Sequence, residues 1–461
     1  MSVRNFSFTY KNTYAMTLPG FRPEVGDMFG QKKHGGFLAP GMDFAFGFTG
    51  DDYIDRALQN DWLICNDSVV SPASSNALED LQLRISLEPI RDLKIDLTAN
   101  RTRNRSREIQ YMFEGMPDTR SGNFSMSIIS IGSAFERPSA GDGYHSGTFE
   151  RFRRNLDVIR DRVESQFLGA QYPQGSTLAG KTFDPANGTI SKHSPDVMIP
   201  AFLAAYTGKS ARNSALDFFP SLFSMMPNWR ITYTGLTKIA WFKKNFRSVN
   251  LNHAYRSTYS VGSYNTFQSF MSYMGDIGFV EDVQSGNPIP SSRFDISMVS
   301  INEQFSPLIG MDATLKNGLT AKVEYKTSRI LNLSMSACQL VETASRDFVI
   351  GLGYKIVNFN LFSGRNVKDS KNRVSHDLAL RADISFRNQS ALCRDIQQGF
   401  AQATNGNKAL KISCSADYTL SRLLTLRLYY DRQQNTPLVS SSSYPVVSAD
   451  FGFSMKFSLT R

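Results

Sequence analysis

The chain has 461 residues, 41% hydrophobic and 12% aromatic, with 34 Phe, 18 Tyr and a formal net charge of +10. That is enough apolar material for a large core, and the aromatic enrichment suits strands better than helices. No segment approaches the ~18–20 uninterrupted apolar residues of a membrane-spanning helix; the nearest, VMIPAFLAAY from Val197, is short and contains Pro200.

The first residues, MSVRNFSFTY, have no apolar signal-peptide core and already alternate, with Phe6, Phe8 and Tyr10 on one side. Such a start fits a soluble protein or a piece of a longer polypeptide. After a long loop expected at 49–80, Leu81, Leu83, Ile85 and Leu87 alternate with polar residues that include Arg84 and Glu88. Leu93, Ile95 and Leu97 alternate with Lys94, Asp96 and Thr98. Period two places successive side chains on opposite faces of a strand. In ANRTRNRSREIQ, Arg101, Arg103, Arg105 and Arg107 therefore share one face. Phosphate contact, with lipopolysaccharide or nucleic acid, competes there with a solvated loop or strand end, and the plainer reading is preferred. No nucleic-acid-binding pattern accompanies the arginines, so nucleic acid is not an expected partner.

Residues 135–227 break the pattern. In TFERFRRNLDVIRDRVESQF, Phe149, Phe152, Leu156, Ile159, Val163 and Phe167 recur at helical spacing. The region reads as a partly helical insertion between barrel-strand segments 1–134 and 228–461. Its stripe is a candidate for gating or partner docking, although packing on its own domain is the commoner use. Strand parity requires the strands flanking the insertion to run oppositely. The count runs both the same way, so a strand is missed or invented there.

Alternation resumes after 228. Leu319, Ala321, Val323 and Tyr325 alternate with residues including Lys322, Glu324 and Lys326. Leu380, Ile384 and Phe386 alternate with Arg381, Asp383 and Arg387, and Lys411 and Asp417 fall in the polar phase of 410–418. Leu426 and Leu428 flank Arg427, and the last strand places Phe451, Phe453 and Phe457 opposite Ser454 and Lys456. Connections such as EPIRD (88–92), KNG (316–318) and LSRL (420–423) are tight, whereas 264–293, 388–407 and 432–444 read as long polar loops. Strands of this length, with short turns at one end and long loops at the other, favour a membrane β-barrel over a soluble sandwich or β-rich adhesin. The lipid-facing candidates are then Leu380, Ile384, Phe386, Leu426, Leu428, Phe451, Phe453 and Phe457. Arg84, Glu88, Lys94, Asp96, Lys322, Glu324, Lys326, Arg381, Asp383, Arg387, Lys411, Asp417 and Arg427 would line an aqueous lumen.

Chemistry is sparsely signalled. The five histidines are scattered, GLGYK (351–355) leads into no phosphate loop, and GDGYHSG (141–147) matches no calcium loop. Cys65, Cys338, Cys393 and Cys414 show no metal-ligand spacing and leave one or two disulfides open. No catalytic, cofactor or metal site is expected.

Several segments resemble one family: LPGFRPEVGDMFGQ from Leu18, LAPGMDFAFGF from Leu38, IPAFLAAYTGK from Ile199, and PNWRITYTGLTKIAWFKKNFRSVNLNHAYRSTYSVGSY from Pro227. They look like the C-terminal part of SprA/Sov, the outer-membrane translocon of type IX secretion and gliding motility in Bacteroidetes. The resemblance implies an all-β fold: an antiparallel transmembrane β-barrel segment, part of a very large single-chain barrel, with a signal sequence on a missing N-terminal part. It implies secretion of folded cargo bearing a C-terminal sorting domain, a PorV-like barrel and a plug protein as partners, and lipid and lipopolysaccharide around the wall. Roughly fourteen to sixteen strands are expected in this chain, too few for the family's barrel, which would leave two edges. The competing function is an outer-membrane channel or receptor barrel for small solutes.

Overall fold

The computed structural model describes residues 2–24, 26–34, 36–50, 52–66, 71–110, 118–357, 359, 377–420, 424–439 and 444–457. In chain order the elements are β1 (Ser2–Thr17), β2 (Lys32–His34), β3 (Phe37–Ala39), α1 (Met42–Ala45), α2 (Asp52–Gln59), β4 (Ala73–Glu88), β5 (Leu93–Ile109), β6 (Asp118–Ser127), α3 (Gly147–Ser165) and α4 (Pro195–Thr207). There follow β7 (Asn228–Tyr233), α5 (Ala240–Asn245), β8 (Phe246–Thr266), β9 (Met271–Met274), β10 (Ile277–Glu281), β11 (Pro288–Ser292), β12 (Phe294–Ile296), β13 (Met298–Leu315), β14 (Leu319–Ser334), β15 (Gln339–Ile356), β16 (Leu378–Asp395), β17 (Ala401–Thr419), β18 (Leu424–Pro437) and β19 (Val446–Phe457).

Fourteen strands form one antiparallel sheet in the order β1-β4-β5-β6-β8-β13-β14-β15-β16-β17-β18-β19, with β7 beside β5 and β8 and β12 beside β8. The order is a meander in which each long strand pairs with its sequence neighbour. Among the described residues no ladder joins β1 to β19, so both are edges.

Strand parity around the insertion resolves here. β6 pairs with Arg101–Ile109 of β5, and β7 pairs with Leu93–Thr98 of the same strand. Both run antiparallel to β5 and both pair with β8, so they are two halves of one strand position. No strand is missing: residues 128–227 are spliced into the middle of a strand. The break leaves backbone groups of β5 and β8 without a ladder partner, and buried amides need one. Ser127 and Asn228 provide it. Ser127 Oγ accepts from the Asn100 N–H (3.1 Å) and the Asn228 Nδ2 (3.2 Å), and Asn228 Oδ1 accepts from the Ser257 N–H (2.7 Å).

The expected loop lengths need correction. The run at 388–407 is mostly strand, the ends of β16 and β17, and 432–444 holds the end of β18. Residues 264–293 carry the three-stranded sheet β11-β10-β9. Residues 49–80 hold α2 and the start of β4. The folded excursions at 18–72, 128–227 and 267–297 lie toward one rim, but the short connections at 335–338 and 396–400 lie there too, so short turns are not confined to the other end. KNG lies at the opposite rim; of LSRL, residues 421–423 lie outside the described residues.

The core sits where the insertion meets the sheet. The apolar stripe of α3 (Phe149, Phe152, Leu156, Ile159, Val163), with Phe167 just beyond it, is buried against α4 and against Phe124, Tyr259, Val299, Ile301 and Leu331 of the sheet. α3 starts where Ser146 Oγ accepts from the Phe149 N–H (3.1 Å). Glu136 supports that cap, accepting from the Ser146 hydroxyl (2.5 Å) and the Thr148 N–H (3.0 Å). A smaller cluster (Tyr53, Ile54, Ala57, Trp62, Leu63) closes the 18–72 excursion.

Candidate functional site

Cross-strand partners in a ladder lie on the same face, so register assigns every strand residue to a side. One apolar rung runs Val249–Ala313–Ala321–Leu352–Ala382–Cys414–Tyr430–Phe451. Another runs Leu319–Tyr354–Leu380–Ala416–Leu428–Phe453. The first strands continue the same face with Phe6–Ile85–Leu97–Trp229–Tyr255. Together these rungs make an apolar belt from β1 to β19. Leu380, Ile384, Phe386, Leu426, Leu428, Phe451, Phe453 and Phe457 all lie on it, and the three phenylalanines of β19 are 60–73% exposed. Arg432 interrupts the belt at the Ile412 rung, with a stem long enough to carry its charge outward.

The opposite face is polar. A rung there reads Asn250–Asp312–Lys322–Gly351–Asp383–Ser413–Asp431–Asp450. Arg84, Glu88, Lys94, Asp96, Lys322, Glu324, Lys326, Arg381, Asp383, Arg387, Lys411, Asp417 and Arg427 all fall on this side by register. Charges of opposite sign alternate and pair: Glu324 with Lys322 (3.0 Å) and Lys326 (2.9 Å), Asp347 with Arg387 (2.9 Å), Asp96 with Lys94 (2.9 Å), Asp417 with Arg427 (3.6 Å). Exposed pairs of this kind add about 0–1 kcal/mol each; their consequence is a hydrated surface without one dominant sign. The glycines of GLGYK have a packing role on this face. A Cβ on Gly351 would meet Asp383 Oδ1 at 2.5 Å, and one on Gly353 would meet Thr320 Oγ1 at 2.6 Å.

The belt does not cover the full height of its face. Beyond it, toward the insertion, the same face turns charged. Arg101, Arg103, Arg105 and Arg107 lie here, and protein groups already engage them. Glu79 takes Arg101 (3.4 Å) and Arg105 (2.7 Å), Asp118 and Asp55 take Arg107, and Arg101 and Arg103 stack over Phe124 and Phe219. They stand on the end of β5 beyond the belt, as the strand-end reading has it, and are engaged by protein groups: Arg101 and Arg105 within the sheet, Arg103 by Phe219 of the insertion and Arg107 by Asp55 of the 18–72 excursion.

Two further ion pairs escaped notice in the sequence. Glu303, 1% exposed, accepts from Arg329 (2.7 Å), the Ser130 hydroxyl (2.7 Å) and the Tyr255 hydroxyl (2.8 Å). Arg329 also donates to the Ser133 carbonyl (2.6 Å) and hydroxyl (2.8 Å). Arg394 joins Glu342 (3.1 Å) to the Tyr144 carbonyl (2.6 Å). A signal was present: Glu303 and Arg329 occupy the apolar phase of their strands, between Ile301 and Phe305 and between Tyr325 and Leu331. A charge in that phase marks a place where something covers the face.

The gate or docking candidates Phe149, Phe152, Leu156, Ile159, Val163 and Phe167 all point inward; the outer side of α3 carries Arg151, Arg154, Asp157 and Asp161. Asp196, on α4, is buried against β11. Burial pushes its carboxyl up, against hydrogen bonds from the Ser292 N–H (3.2 Å) and the Ser291 hydroxyl (3.4 Å). All four cysteines are free thiols. No group of three or more potential metal ligands occurs among the described residues, and no helix among them is long and apolar enough to cross a membrane, which says nothing of strands.

No family model matches the chain, and no curated protein matches it. Among solved structures, a loop-deletion mutant of OmpT, an outer membrane protein of Vibrio cholerae, aligns over 84% of this chain and 93% of its own, at 8% identity and a TM-score of 0.20. An anion-selective porin from Comamonas acidovorans aligns over 82% and 87%, at 9% identity and a TM-score of 0.11. Superposition at these scores carries no argument about function; the register of the sheet, with its apolar and polar faces, does.

Proposed function

We propose that this chain is a section of the wall of a large outer-membrane β-barrel, and that the barrel conducts proteins. The observation that carries the reading is the belt. Lipid excludes unpaired backbone and accepts only closed ladders with an apolar outer face. Twelve consecutive strand positions present an apolar face on one side and mixed, hydrated charge on the other, with edges left only at β1 and β19 among the described residues. A lumen without a dominant sign would release cargo of either charge. Barrel diameter grows with strand number, so the two open edges of this section support a wider barrel completed by further strands.

The resemblance to the SprA/Sov translocon sets the finer reading: type IX secretion of folded cargo, lipopolysaccharide around the outer rim, and a PorV-like barrel and a plug protein as partners. The chain performs no bond chemistry on this view. The insertion stands on the same face as the belt, so it lies outside the wall rather than in the conduit. It serves as a lateral docking or gating element, and the charged outer side of α3 is the surface it offers.

Spin labels at Phe453→Cys and Lys456→Cys in the assembled particle test the reading. Phe453 should be relaxed by oxygen and Lys456 by a water-soluble nickel chelate. The reverse pattern, or equal wetting of both, sinks it. Single-channel conductance separates the transport classes: a narrow, strongly ion-selective pore would favour the small-solute channel.

A further inference from the structure

The connection between β7 and β8 lies at the rim opposite the insertion and is not a simple turn. It forms a short helix, α5, with sequence AWFKKN. Trp241, Phe242 and Phe246 pack as a cluster, with ring centroids 4.8 Å apart for Trp241–Phe242, 5.6 Å for Phe242–Phe246 and 5.9 Å for Trp241–Phe246. Phe246 pairs with Leu315 at the lower end of the belt, so the cluster continues the apolar face at its boundary. Yet Trp241 is 62% exposed and Ile239 51% exposed, with nothing among the described residues covering them. Beside them Lys243, Lys244 and Arg247 are exposed, and no ion pair holds them among the described residues.

The connector is held in place from both sides. Its Thr234 N–H donates to the Asp92 carbonyl (3.0 Å), and Asp92 also forms an ion pair with Lys238. The Lys316 N–H of the next turn donates to the Asn245 carbonyl (3.1 Å). Aromatic rings at the edge of an apolar belt, with free cations just beyond, match the layered chemistry of a headgroup region: acyl chains, then carbonyls, then phosphate.

We propose that this connector is a headgroup anchor that binds anionic phospholipid in the leaflet at that rim. Trp241 and Phe242 sit at the acyl–carbonyl boundary, and Lys243, Lys244 and Arg247 engage the phosphates. The inference rests on the belt facing lipid. Anionic phospholipid is the occupant because, among the described residues, the unpaired charged side chains of this connector are cationic.

The test uses the assembled particle reconstituted in vesicles of phosphatidylcholine, alone or equimolar with phosphatidylglycerol, each lipid brominated near the carbonyl or near the chain end in separate samples. Wild type minus W241F isolates the Trp241 emission. Carbonyl-level bromine should quench it, more strongly from phosphatidylglycerol than from phosphatidylcholine at equal bromine content. Each cation near an anionic surface favours it about fivefold, so K243Q/K244Q/R247Q should remove a preference of roughly a hundredfold at low salt. Equal quenching by the two lipids, or a preference that survives the triple variant, overturns the anchor. Trp229, in the belt, is the control for the underlying reading: quenching there by chain-end bromine with Trp241 unquenched overturns the anchor alone, and quenching at neither site overturns both.

Discussion

Replacing Arg329 by Met removes three donated hydrogen bonds: one to Glu303 and two to Ser133 at the start of the insertion. The methionine fills most of the volume, so the cost is electrostatic. Glu303 is left 1% exposed with only the neutral hydroxyls of Ser130 and Tyr255 as donors. Stranding one member of a buried pair costs about 3–5 kcal/mol. That corresponds to roughly a hundred- to several-thousand-fold shift toward a state with the insertion detached at this seam. Hydrogen exchange of the amides at 128–134 reads the shift directly, and Tm gives a second measure. R329M/E303Q removes the stranded charge yet keeps an acceptor for Ser130 and Tyr255, so it should recover most of the loss. An R329M protein within ~0.5 kcal/mol of wild type, or a double variant no better than the single, would refute the assignment of this pair as the tie between insertion and wall.

Ile384→Arg, in the middle of the belt, should destabilise the membrane-inserted protein by about 2–4 kcal/mol, whereas Ser385→Arg on the polar face should be near neutral; urea titration in vesicles distinguishes them. Phe152→Ala, fully buried and edge-on to Phe202 at 6.0 Å, should cost about 3–5 kcal/mol and make residues 135–227 sensitive to trypsin with the wall still intact. Glu136 is half-buried, which works against its charge, but hydrogen bonds from Ser146 and Thr148 outweigh burial and hold its carboxyl below the ordinary 4.5. A depressed acid stabilises the fold fully above the unfolded value and loses that contribution as pH falls through the folded one. Protease protection of α3 should therefore weaken below about pH 4.5, and E136Q should flatten that dependence.

The two faces of the wall were legible because a strand's side-chain period is two, and any long run in phase declares its sides without knowledge of its neighbours. Arg84, Asp96, Lys322, Asp383, Lys411 and Arg427, read from alternation as one face, share that face by register. The helix at α3 was legible for the same kind of reason, a period of 3.6 over five turns. Loop lengths were not. Polar residues at 388–395 and 401–407 look like loop, yet they pair in β16 and β17 because the ladder satisfies backbone groups whatever the side chains.

What the amino-acid order determined by itself was local and periodic: which residues of a strand share a face, where a helix interrupts, and the absence of an apolar helix of membrane length. What only the tertiary structure decided was long-range pairing. It placed β6 and β7 in one strand position, joined Arg103 to Phe219 of the insertion and Arg107 to Asp55 of the 18–72 excursion, and set the insertion on the belt's side of the sheet. The physical reason is that a side chain's face follows from the dihedrals of its own strand. Whether that face meets water, lipid or another segment depends on residues a hundred or more positions away, such as Ser133 against Arg329.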